Sequence, residues 1–176
     1  MSLAANRKRI EKLLDEYRQR LDLYPEDDFT DTPAEGVWSY AEVYAHILNA
    51  TYQSLLAAER CLGQNAQFHK SGTPLVVKLI LAIGRIPPGK HAVPAVLADK
   101  TAKISREDAR NLLIRVRKKL DDVYPKLRGY DPLMRVKHPR LGMLHAAQWL
   151  RFTWIHLRHH VAQLNRISKM RGRARS

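Results

Sequence analysis

Apolar residues recur at intervals of three and four along four separate stretches of the chain. Ile10, Leu14, Tyr17, Leu21 and Tyr24 form one stripe, the mark of an amphipathic helix over about residues 4–24. Pro25 and the acidic run Glu26-Asp27-Asp28 close it, and residues 29–38 read as a linker. Ser39 then offers a cap with Glu42 three positions on, a capping box that opens a second helix over about 40–62. Trp38 precedes the cap and is placed to staple against Val43. A third helix starts at Ser105, with Asp108 at the capping-box position. Leu112, Leu113, Val116, Leu120 and Val123 form its apolar face, and Pro125 stops it. The fourth begins near Leu144 and runs towards Ser168, with Trp149, Phe152, His156, His160, Gln163, Leu164 and Ile167 on one broad face.

The connections are less regular. Pro74, Pro87, Pro88 and Pro94 rule out one long helix between residues 63 and 104. The segment PLVVKLILAIG reads as a short buried helix opening with Pro74 near its first turn. Its composition would also suit a strand, but no second strand is evident to pair with it. Residues 86–103 read as a long ordered loop, and residues 126–142 as a second loop rich in Pro and Gly. The expected fold is all-α: a four-helix bundle with a long irregular connection, containing a short helix, between the second and third main helices. One domain should span residues 1–176, with 169–176 as a flexible basic tail. The long connection means that the topology need not be a simple up-down-up-down order.

Composition narrows the setting. At 176 residues the chain has the length of one domain, large enough to bury a core without metal or disulfide support. Cys61 is the single cysteine, which excludes an internal disulfide framework. The start MSLAANRKRI lacks the apolar run of a signal peptide. The most apolar stretch, Leu75–Ile83, is interrupted by Lys78 and is about half a membrane span. A soluble, cytoplasmic protein is expected. The net charge of +14 invites an anionic partner. The sequence shows no CxxC finger, RNP-like motif or helix-turn-helix pair. A basic solvated surface is therefore the first reading, ahead of a small anionic substrate, with nucleic acid third.

The histidines carry the candidate chemistry. His156 and His160 stand one turn apart on the same face of the fourth helix, so both imidazoles can reach one ion at about 2.0–2.1 Å. A pairing of His156 with His159 is also conceivable. The series 149, 153, 156, 160, 164 and 167 follows the apolar side, which favours 156 with 160 and leaves His159 at its edge, as a substrate contact or supporting group. A divalent ion needs at least one more protein ligand. His46, between Val43, Ile47 and Ala50 on the second helix, is a candidate that faces inward. Glu42 lies one turn before His46, but its capping position is reason enough for it. Asp121 and Asp122 read as solvated, and Tyr40, Tyr44 and Tyr52 as packing residues. Trp149 and Trp154 read as core or dimer contacts, and His138-Pro139 as a turn into the last helix. His69 and His91 have no ligand partner at useful spacing. Cys61 is about 22 Å along the helix from His46 and reads as an inert thiol.

The sequences WSYAEVYAHI and HPRLGMLHAAQWLRFTWIHLRHHVAQL resemble those of the DinB/YfiT-like superfamily of metal-dependent enzymes. The likeness is to a branch whose last helix carries a His-Pro lead-in, a Trp and a closing His-x-x-His-His-x-x-Gln. The resemblance implies a four-helix bundle, often a homodimer. It implies a divalent metal, commonly zinc or nickel, held by one histidine of the second helix and an i,i+4 pair of the fourth. Here these fall on His46, His156 and His160, and the closing glutamine on Gln163, for packing or hydrogen bonding. Relatives include thiol S-transferases and a mycothiol-dependent isomerase, so a low-molecular-weight thiol is an implied co-substrate. The strong basicity, the Arg-rich tail and Gln148 in place of an acidic residue depart from the pattern. Three histidines around a divalent ion would leave a position for a thiol or a water. A bound thiol would serve transfer and a bound water hydrolysis. A non-catalytic metal or ligand-binding bundle would show the same residues with a closed coordination shell.

Overall fold

The computed structural model describes residues 2–63, 66–69, 72–86 and 102–174. Four long helices build the body: α1 (Leu3–Leu23), α3 (Tyr40–Arg60), α5 (Arg106–Val123) and α6 (Ala146–Ala174). Two short helices, α2 (Glu26–Thr30) and α4 (Leu75–Ile83), lie between them. The expected four-helix bundle with a short helix in the long connection is present.

Side-chain contacts set the helix directions. Arg7 near the start of α1 pairs with Asp121 near the end of α5, and Asp22 near the end of α1 pairs with Arg110. These two helices are therefore antiparallel. Glu59 and Lys119, both near their helix ends, make α3 parallel to α5. Tyr40 at the start of α3 bonds Ser168 late in α6, while Cys61 just after α3 reaches the Leu144 carbonyl just before α6. The resulting order is up, down, down, up. Helix α3 packs against α2, α5 and α6, and Ala41, Val43, Tyr44, Ala45, Ile47 and Leu48 are all buried on it. Tyr17 is fully buried and donates to the Leu157 carbonyl, and Tyr44 donates to the Tyr17 carbonyl. Each phenol thus enters the core with its polar end satisfied.

Several connections differ from expectation. The 29–38 linker begins inside α2, where Phe29 packs into the core. The loop at 126–142 contains a 3₁₀ turn (Tyr124–Gly129) and a hairpin of β2 (Met134–His138) and β3 (Gly142–His145). The two-residue strand β1 (Gln67–Phe68) pairs with β2, giving the antiparallel order β1-β2-β3. Strands this short carry too few alternations to register as a pattern. Helix α4 is only half buried. Val77 and Leu81 face inward, whereas Leu75, Val76, Leu79 and Ile83 are exposed among the described residues. Most of the loop expected at 86–103 lies outside the described residues. Helix α6 continues to Ala174, beyond the expected end near Ser168. Arg171 anchors this extension to Asp28 and Asp31.

Candidate metal centre

The capping box of α3 forms as its spacing predicts. Ser39 Oγ accepts from the Glu42 N–H, and Glu42 Oε2 accepts from the Ser39 N–H at 2.8 Å and its hydroxyl at 2.7 Å. This start orients the first turns of α3 so that His46 faces α6 and is buried. On α6, His156 and His160 present their rings to the same seam. The closest ring nitrogens of all three histidines lie within 4.8 Å of one another. His156 Nε2 and His160 Nε2 are 3.1 Å apart.

Gln163 sits one turn beyond His160, with Oε1 at 2.7 Å from His160 Nδ1. An amide oxygen accepts only, so Nδ1 carries the proton and Nε2 keeps its lone pair facing His156. Burial disfavours the charged form of each ring. It pushes His46 down to about 4 and His160 to about 3, and holds His156 well below the usual imidazole range. All three are thus neutral at pH 7. The 3.1 Å between His156 Nε2 and His160 Nε2 is close to the roughly 3.3 Å expected of two nitrogens on one tetrahedral zinc. The donor set fits a divalent ion.

Aromatic rings wall the seam. Trp38 meets His46 edge-on at 5.3 Å, and Phe152 stacks on His156 at 5.2 Å. His138 packs behind Phe152 at 4.5 Å. Trp38, expected to staple the helix start, thus contacts the candidate site. The roles of Trp38, Phe152 and His138 left no signal in spacing, because they arise from contacts between elements.

The other candidates separate clearly. His159 stands beside His160, its ring 5.2 Å away and nearly perpendicular, at the edge of the site. Glu42 is engaged in the cap. Nδ1 of His138 accepts from the Arg140 and Leu141 N–H groups at 3.1 Å each, which shapes the β2–β3 turn. His145 stacks on Tyr130. The backbone N–H of His69 donates to the Leu133 carbonyl. His91 lies outside the described residues. Cys61 is buried, with its thiol pushed up to about 11 by burial, which suits an inert group. Gln148 receives the His145 N–H and bonds Thr73, filling a structural role where an acid was expected.

The family model described as the DinB superfamily matches residues 9–164. The chain belongs to the DinB superfamily. Comparison with curated proteins finds no match. Among solved structures, TT2238, described as a four-helix bundle protein, superposes with a TM-score of 0.62 at 19% identity, covering 93% of this chain and 98% of that one. YfiT from Bacillus subtilis, described as a probable metal-dependent hydrolase with an unusual four-helix bundle topology, gives a TM-score of 0.66 at 15% identity, covering 98% and 90%. At these identities the two structures show the fold that this DinB-superfamily chain shares. Among the described residues no helix is long and apolar enough to cross a membrane.

Proposed function

We propose that His46, His156 and His160 bind one divalent ion, zinc or nickel, and that the chain is a metal-dependent enzyme acting on a low-molecular-weight thiol. One observation carries this reading. The converging group consists of three neutral imidazoles, His46 and His160 buried and His156 half-buried, and includes no carboxylate among the described residues. A bound ion with an open position would lower the pKa of a thiol and supply it as the nucleophile. Water activation would be served best by a carboxylate base, and the nearby Glu42 is committed to its cap. Gln163 orients His160, Trp38 and Phe152 shield the seam from water, and His159 stands where a substrate would meet its edge. The description of YfiT favours hydrolysis as the second reading, with water in place of the thiol. The resemblance also carries a homodimer, which light scattering would check.

Metal analysis of protein purified without an affinity tag should find about one divalent ion per chain. His46→Ala, His156→Ala and His160→Ala should each deplete it. Full occupancy in all three variants would sink the site. After cobalt exchange, small thiols should shift the visible spectrum. An unchanged spectrum together with hydrolysis of a chromogenic ester would move the assignment to the second reading.

A further inference from the structure

The excess of positive charge is not evenly spread. Residues 60–98 and 132–176 contain no Asp or Glu. The fold packs parts of both stretches together, with α4 against α6. Elsewhere several basic groups find acids: Arg7, Arg106, Arg110, Arg117, Lys119 and Lys126 all form ion pairs. On the α4–α6 side, Lys78, Arg9 and Arg158 have no carboxylate at ion-pair distance among the described residues. Arg9, Arg151 and Arg158 crowd one indole, 5.0, 4.2 and 4.9 Å from the Trp154 ring. Like charges gathered this way raise the local positive potential.

Beside them is a cavity of about 540 Å³ whose polar lining includes Asn6, Lys78, His145, Gln148 and Arg151. It sits at the N-terminal end of α6. On a helix of 3.6 residues per turn, Ala147 and Arg151 point away from the side that carries His156 and His160. The lining includes no acidic residue among those described. Two of its polar atoms are buried without a hydrogen-bond partner among the described residues, Asn6 Oδ1 and His145 Nδ1. Asn6 is only 2% exposed, so water does not readily replace the missing partner. The first turn of α6 adds backbone N–H groups at Ala147 and Gln148. Leu81 and Tyr130 supply apolar wall.

We infer that this cavity binds a small phosphorylated organic molecule at a site separate from the three histidines. Lys78 and the α6 amides hold the phosphate, Asn6 and His145 line its polar wall, and Leu81 and Tyr130 face the organic part. Phosphate suits an acid-free lining beside a helix N-terminus. The volume is that of a small-ligand pocket and larger than a bare phosphate needs. The inference does not depend on metal binding.

Calorimetry on the full-length protein at constant ionic strength tests it, with phenyl phosphate as the probe. Saturable binding at about one per chain is expected, tighter than for benzoate or inorganic phosphate. Lys78 is exposed, so its variants should fold. Lys78→Gln should weaken binding at least about tenfold and Lys78→Arg should restore most of it. His46→Ala should leave it unchanged. Absence of saturable binding, equal affinity in the Lys78→Gln variant, or loss in His46→Ala would each overturn the assignment. Binding of a DNA duplex without binding of phenyl phosphate would also overturn it, in favour of an extended nucleic-acid surface.

Discussion

His160 uses its two ring nitrogens for different tasks. Nδ1 is fixed by Gln163, and Nε2 is left as an electron-pair donor facing His156. Support of this kind typically changes metal affinity by about 10–100-fold. Gln163→Ala should therefore weaken metal binding by that order with little loss of fold, while Gln163→Glu, which keeps an acceptor oxygen, should retain it. Competition with a chromogenic chelator measures both, and an unchanged affinity in Gln163→Ala would remove Gln163 from the site. The 156/160 pair was visible in the sequence because residues four apart on a helix share a face, while the role of the glutamine beside it came from the family resemblance. Periodicity showed His46 only as an inward-facing histidine, and the family resemblance made it a ligand. Its meeting with the pair depends on how α3 lies on α6. Near-neighbour logic reads Trp38 as a local staple, and its ring also meets His46 at 5.3 Å.

The ends of the helices are specified locally. Ser39→Ala removes the side-chain half of the α3 capping box, leaving the backbone N–H to Glu42, and should cost about 1 kcal/mol, read as a lower urea midpoint with unchanged slope. Gly84 ends α4 with a φ of 73°. A Cβ there would stand 2.6 Å from the Trp154 ring and 2.7 Å from the Arg151 guanidinium. Gly84→Ala should therefore destabilise the protein by about 1–3 kcal/mol, through both left-handed strain and overpacking. Thermal unfolding measures the loss, and a variant as stable as the parent would contradict this packing. Both capping boxes, at Ser39 and Ser105, were legible because the interacting groups are three residues apart. The hairpin was not. Its five- and four-residue strands are held by pairing with each other and with β1, whose residues lie more than sixty positions away in the chain.

At the scale of the whole molecule, burial of neutral histidines links stability to pH. Burial lowers His46, His138 and His145 to about 4 and His160 to about 3, from 6.5. Above pH 6.5 these rings are neutral in both folded and unfolded chains, and their contribution is fully present. Between that point and the folded values the unfolded chain binds more protons, so stability falls as pH falls. Each such ring contributes up to about 1.4 kcal/mol per pH unit within its window. Metal-free protein should thus show a clearly lower urea midpoint at pH 5 than at pH 7.5, and equal midpoints would mean that the rings are solvated. The lowered carboxylates Asp22 and Glu59 act below this range. The sequence by itself determined the four long helices, two of their starts and the histidine pair, because each rests on residues within a turn or two of one another. Tertiary structure alone decided the up-down-down-up order, the hairpin, the convergence of His46 with His156 and His160, and the acid-free cavity at the head of α6. These depend on which surfaces meet across long stretches of chain, and near-neighbour spacing holds no record of that.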